Sequence, residues 1–214
     1  MTIIFVSCIK IQTMKAVITA DIMHSRKVAS VIWLADLKAV LNSYGKEPKD
    51  WEIYRGDSFQ LLVPAEEALE IALLIKATIK QHKELDVRMA IGVGSIDYDA
   101  DKITESNGAA FINSGECFES LKKQTLGIQT PWIEFNSIFE VILSFMLMVA
   151  DNWTSTSAEV IKKAFENPEI NQNQLATVLN RKSQSSISAS LKRAGYEELK
   201  NMIAFYKQEI KKQW

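Results

Sequence analysis

The chain has 214 residues and a formal net charge of −1. Its 47% apolar and 24% charged residues are the composition of a globular protein and exclude a disordered chain. The two cysteines, Cys8 and Cys117, form no CxxC and join no histidine cluster, which excludes a disulfide framework and a zinc finger and makes a reducing cytoplasm the expected compartment.

Residues 1–12 are apolar but have no basic start, and they fall short of the about 20 residues that span a bilayer. Met14-Lys15 directly precedes a strand pattern, so the start lies at Met1 or at Met14, with residues 1–13 then an upstream extension. Lys15 to Ile22 is a β-branched run ending beside an acid, a buried strand. From Ser25 to Tyr44 the residues Val28, Val31, Ile32, Leu34, Leu37, Val40 and Leu41 recur at helical spacing, with Ser25 as cap and Gly45 as stop. Trp51 to Val63 reads as two strands around a Gly56-Asp57-Ser58 turn.

A second helix opens at Pro64 and runs to about Lys83, acidic at its start as the helix dipole favours. Leu85 to Ile96 is a strand with Val87, Met89, Ile91 and Val93 alternating. Its Gly92 and Gly94 read as close helix-to-sheet packing rather than a ligand's approach. Asp97 to Ser106 is loop, and Ala109 to Lys123 is helix with Gly115 inside it. The order β-α-β-β-α-β-α predicts an α/β (α+β) layer of ferredoxin-like arrangement. Beyond the Gly127 and Pro131 punctuation, helices are expected at about 133–151, 157–166, 171–179, 183–194 and 196–212. The expected division is 14–130, a linker or dimer helix at 131–152, and a helical part at 153–214. The apolar run 137–150 has 14 residues and carries Glu140, which suits a buried helix or a dimer seam better than a membrane span.

Asp21 ends the first strand and Asp57 sits in the hairpin turn, so neighbouring strands bring two carboxylates to one sheet edge. Mg²⁺ needs one or two carboxylates plus ligand phosphates, and a helix starting after Asp21 would offer free N–H groups to a phosphate. The plain alternative is a turn residue and a strand-end acid. His82 reads as solvated, and Arg88 and Glu52 as solvent-facing or paired across strands.

The strings ADIMHSRKV, RGDSFQLLV, LDVRMAIGVG and GAAFINSGECFESL occur in an order that resembles the class III nucleotidyl cyclases and the GGDEF palm. The chain also resembles the SatD family, over about residues 14–212, with RGDSFQ the most specific string. The resemblance implies a nucleotidyl cyclase-type palm with metal-binding Asp21 and Asp57, a phosphate-cradling segment at His24, Ser25 and Arg26, and a catalytic Asn113. Arg55 is a further nucleotide-binding candidate beside the turn. Two departures stand out. The transition-state cation expected four residues after Asn113 is Cys117, and the base-selecting position is apolar Ile53. A thiol cannot supply a cation's electrostatic stabilisation, so nucleotide binding without turnover is the expectation.

Charge divides unevenly, with 15 Lys/Arg against 20 Asp/Glu in residues 1–152 and 10 against 6 in residues 153–214. Leu175 to Leu179 is an amphipathic helix stopped at Asn180, and Ser183 opens the next, with Ile187 and Leu191 as its buried face. Two short helices joined by a brief turn are helix-turn-helix geometry, and the stretch from Asn173 to Gly195 resembles tails of bacterial regulators, including the region-four type of sigma factors. Ser183, Gln184, Ser185, Ser186 and Ser188 suit base and phosphate contacts, and Arg181, Lys182, Lys192 and Arg193 suit phosphates. The alternative is a helical bundle that mediates dimer contacts. Together these point to a DNA-binding transcriptional regulator, a homodimer without a membrane, whose first part senses a nucleoside triphosphate or other nucleotide with Mg²⁺. The other expectation is an active nucleotidyltransferase making a cyclic or oligomeric nucleotide.

Overall fold

The computed structural model describes residues 14–180 and 183–213, so residues 1–13, Arg181, Lys182 and Trp214 lie outside the described residues. The protein is mixed α/β, with one five-stranded mixed sheet and eight α-helices among the described residues. Strand β1 spans Lys15–Met23, β2 Trp51–Tyr54, β3 Ser58–Pro64, β4 Asp86–Gly94 and β5 Leu126–Gln129. Their order across the sheet is β2-β3-β1-β4-β5. The first four are antiparallel neighbours, and β5 joins β4 in parallel.

Alternation sorts the sheet's two faces. Ala16, Ile18, Ala20 and Ile22 of β1, with Val87, Met89, Ile91 and Val93 of β4, are buried on one face. Helices α1 (Ser30–Tyr44) and α2 (Ala68–Lys80) cover that face, α2 lying directly on β1 and β4 and α1 against α2. Helix α3 (Ala109–Ser120) covers the opposite face, where Thr19 Oγ1 and Ser114 Oγ meet at 3.0 Å. The close approach requires glycine in the sheet. A Cβ on Gly92 would stand 2.1 Å from the Ser114 nitrogen, and one on Gly127 would stand 2.8 Å from Cys117 Sγ. Gly92 and Gly94 are thus packing residues, as expected from sequence.

Helix α1 differs from expectation at its start. Residues Ser25–Lys27 form a 3₁₀ turn, Val28 is extended, and the helix begins only at Ser30. Val31 and Ile32 are exposed, and the buried stripe is Trp33, Leu37, Val40 and Leu41. Ser25 caps no helix because its hydroxyl goes to Asp57. The four-residue β5 adds a strand beyond the expected order, because Leu126-Gly127-Ile128-Gln129 shows no strand alternation longer than one repeat. His82 is not simply solvated but lies 2.9 Å from Asp36.

The remaining helices are α4 (Ile133–Ala150), α5 (Ser155–Glu166), α6 (Gln172–Val178), α7 (Gln184–Arg193) and α8 (Tyr196–Lys211). Caps define their starts: Thr154 accepts from Ser157 N, Asn171 forms a capping box with Gln174, and Ser183 accepts from Ser186 N. A single hydrophobic cluster runs from the sheet through α4 to α8. Phe135 and Phe139 of α4 stack at 4.4 Å, and Tyr206 of α8 meets Phe139 edge-on at 5.4 Å. The Tyr206 hydroxyl donates to the Ala65 carbonyl at 2.7 Å, which ties α8 to the turn before α2. Helix α4 is long and apolar enough to cross a bilayer, yet 33% of it is buried in the fold.

A buried ammonium joins the two halves. Lys76 of α2 is 0% exposed, and its Nζ lies 2.8 Å from Asp86 Oδ1, 2.8 Å from Asp151 Oδ1 and 3.0 Å from Thr125 Oγ1. Replacing Lys76 with Met leaves Asp86 with Lys80 alone and takes the paired cation from the Asp151 carboxylate, and breaking a buried pair in this way costs about 3 kcal/mol. Urea titration of Lys76→Met should show that loss as a lower midpoint.

Candidate functional site

The carboxyl end of β1 opens into a cleft of about 690 Å³. Asp21, at the end of β1, stands directly across from Arg88 of β4 in the antiparallel register. The Arg88 guanidinium reaches both Asp21 oxygens, at 3.3 Å from Nε and 2.8 Å from Nη2, while its face lies 4.6 Å from the Phe118 ring centre. Such a fork pairs with carboxylate geometry and stacks on aromatics in ways lysine cannot.

Asp57 belongs to the β2–β3 turn, where Arg55 (φ 54°) and Gly56 (φ 88°) both adopt left-handed backbone. That turn brings the Asp57 carbonyl to the Ile22 N–H at 2.9 Å and its carboxylate to the Ser25 hydroxyl, which donates to Oδ2 at 2.7 Å. His24, itself left-handed at φ 62°, reverses the chain so that the 3₁₀ turn Ser25–Lys27 lies along the cleft. The opposite wall is Lys122, Lys123, Gln124 and Thr125, between α3 and β5.

The structure therefore brings together five predicted residues, Asp21, His24, Ser25, Arg26 and Asp57, and adds Lys27, Arg88, Lys122 and Lys123. The lining holds five Lys/Arg side chains against two carboxylates, so its formal charge is positive. Arg55 does not line it, nor does Asn113. The Asn113 amide donates to the Val93 carbonyl at 2.8 Å. Val93 is five residues along β4 from Arg88, roughly 16 Å at strand rise, so Asn113 stands toward the far end of the sheet from both acids. The phosphate cradle expected from a helix start is a 3₁₀ turn instead, because α1 begins at Ser30.

The sequence pattern predicts a helix through Lys123 with nothing to mark Lys122 and Lys123 for a site, whereas α3 ends at Ser120 and leaves both in the connection to β5. The signal for Arg88 was available: pairing β1 with β4 antiparallel sets it opposite Asp21. For a divalent cation the donors are Asp21 and Asp57, and no cluster of three or more His, Cys, Asp or Glu stands ready among the described residues. With Arg88 on both Asp21 oxygens, a guanidinium already supplies the neutralising charge. The pair fits Mg²⁺ only when the ion arrives with ligand phosphates and Asp21 exchanges partners.

On the helical part, Ser183 caps α7, and Gln184, Ser185 and Ser186 are exposed at its start, with Ser188 partly exposed. Gln184 Nε2 donates to Gln172 Oε1 of α6 at 2.5 Å. Lys192 and Arg193 are exposed in the last turn of α7, and Arg181 and Lys182 lie outside the described residues. No protein-family model matches the chain, and a search of curated proteins finds no match to it.

Cys117 faces the sheet from α3, and burial pushes its thiol up to about 11. As pH rises above 9, the ordinary value, the unfolded thiol ionises while the folded one stays neutral, so its contribution to stability is present below pH 9 and lost toward 11. Iodoacetamide at pH 8 should leave Cys117 unmodified in the folded protein and alkylate it after unfolding, as read by peptide mass mapping.

Proposed function

We propose that this chain is a DNA-binding regulator whose first part, a ferredoxin-like palm of nucleotidyl cyclase type, senses a nucleotide in the basic cleft. The observation that carries the proposal is the presentation of α7. Ile187, Ser190 and Leu191 bury one side of it among α5, α6 and α8, while Gln184, Ser185 and Ser186 are exposed at its start. A helix held this way on three others, with a polar amino-terminal turn outward, suits insertion into the major groove. The strand order β2-β3-β1-β4 supports the palm reading, and the SatD resemblance agrees with both parts.

The cleft would take the phosphates of the ligand on Lys122, Lys123, Arg26 and Lys27, with Asp57 and Asp21 holding any Mg²⁺ that accompanies them. Thr125 connects the cleft to the helical part, since the residue lines the cleft while its hydroxyl donates to Asp151 Oδ1 at 2.6 Å, just beyond the end of α4. A ligand that moved this wall would shift helices α4 and α5, and coupling follows only if it prefers one arrangement. Sensing is favoured over nucleotidyl transfer because Asn113 and Cys117 are both engaged with the sheet.

Calorimetric titration of ATP and GTP, with and without Mg²⁺, tests the cleft. The double variant Lys122→Glu, Lys123→Glu should weaken binding at least tenfold, and Asp57→Ala should remove only the Mg²⁺-dependent part. No binding to the wild type would leave the first part a scaffold. Fluorescence anisotropy with random-sequence duplex DNA at low salt tests α7. Ser185→Glu puts an acid where the helix dipole tolerates it but sets it against DNA phosphates, so binding should fall by an order of magnitude or more. Unchanged binding would exclude α7 as the reading helix.

A further inference from the structure

Most lysines among the described residues are paired with a carboxylate, as Lys38, Lys49, Lys102 and Lys163 are. Arg26, Lys27, Lys122 and Lys123 are exposed, and the side chain of each has neither an ion pair nor a hydrogen bond to a described residue. All four line the cleft at the carboxyl end of β1. The segments that carry them are anchored by their neighbours. The Ser25 hydroxyl donates to Asp57 at 2.7 Å, and buried Thr125 accepts from Lys76 at 3.0 Å and donates to Asp151 at 2.6 Å. Unpaired like charges on two anchored walls focus a positive field in the space between them, and that field attracts an anion.

The rest of the lining narrows the chemistry of that anion. Asp21 already holds Arg88, which leaves Asp57 as the lining carboxylate without a cation. Four free cations thus face one acid, a balance that suits a chain of phosphates, whose end group alone carries about −2 at neutral pH. A single phosphate is small against about 690 Å³ and would leave one wall unmet. Ile22 and Met23 are the apolar members of the lining, and no aromatic ring belongs to it. The Phe118 ring carries the Arg88 guanidinium over its face, 4.6 Å from its centre. Bases are held by stacking on an open ring or in an apolar pocket, whereas this lining presents partners for phosphate. On the reading of the cleft as a nucleotide site, and narrowing it, we propose that the cleft recognises a chain of linked phosphates as such. Arg26 and Lys27 hold it from one wall and Lys122 and Lys123 from the other. A nucleoside carried by the chain stays toward solvent and adds little to binding. No metal is required, because the four cations supply the charge that Mg²⁺ otherwise brings to phosphates. A nucleic-acid backbone fits less well, since each of its phosphates carries a single charge.

Calorimetric titration of the full chain with sodium tripolyphosphate, ATP, GTP and orthophosphate, in EDTA at low salt, is the test. Tripolyphosphate, ATP and GTP should bind within about threefold of one another, and orthophosphate at least about tenfold more weakly. Lys122→Gln with Lys123→Gln, and separately Arg26→Gln with Lys27→Gln, each removes charge-assisted contacts and should weaken all three chains alike, by about tenfold or more. These positions are exposed, so the thermal melts of both variants should match the wild type. ATP or GTP binding at least about tenfold tighter than tripolyphosphate would overturn the proposal and leave the nucleotide site standing. Binding that is absent in EDTA and returns with Mg²⁺ would do the same. A single-stranded oligonucleotide that displaces tripolyphosphate at a lower concentration than ATP does would assign the cations to a nucleic-acid backbone instead. No binding of any of the four ligands, with or without Mg²⁺, would overturn the nucleotide site together with the proposal.

Discussion

The Lys76 ammonium has three protons and three oxygens to receive them, from Asp86 of β4, Thr125 before β5 and Asp151 after α4. Without these partners a fully buried cation would be prohibitively placed in a core of Ile, Leu and Ala. The need for those oxygens fixes several elements at once. Asp86 must open β4, the Thr125 segment must return beside it, and α4 must end where Asp151 can reach back. Lys80 strengthens the same junction by bonding Asp86 Oδ2 at 2.9 Å and the Asp151 carbonyl at 2.8 Å. The helical part is therefore not a tail on a flexible link but is locked onto the sheet by charge as well as by the shared hydrophobic cluster.

The cleft follows from that arrangement. Thr125 is held by Lys76 and Asp151, which positions Lys122 and Lys123 across from the end of β1. On the near side, Asp21 and Asp57 each meet a donor, Arg88 and Ser25, so neither acid stands as a bare charge. The result is a site that is locally balanced and positive at its outer wall, suited to an anion. Helix α3 lies so low on Gly92, Gly94 and Gly127 that only small residues fit beneath it. That low packing turns Cys117 toward Gly127, away from any ligand, and engages Asn113 with Val93.

Much of this was written in the chain. The β-branched runs at Lys15 and Leu85, the turn at Gly56 and the capped helices of the last sixty residues announce themselves through periodicity and backbone preference, which are local properties. Asp21 and Asp57 were legible as a pair because strand ends and turns are local too. The helix from Ser155 to Glu166 and those after it match the expected spans within a few residues, for the same reason.

Tertiary structure decided what depends on partners distant in sequence. β5 is a strand only because β4 offers it a parallel edge, its own four residues carrying too little pattern. The start of α1 moved to Ser30 because Ser25 bonds Asp57, thirty-two residues away, instead of capping a helix. Arg88 entered the site through register, Lys122 and Lys123 through the return of β5, and Lys76 found its two acids only when three separate segments closed around it. Local pattern thus determined which segments are helices and strands and which acids stand at strand ends. The sign of the cleft's charge and the union of the two halves were settled by packing, since electrostatic neighbours are chosen by distance in space and not along the chain.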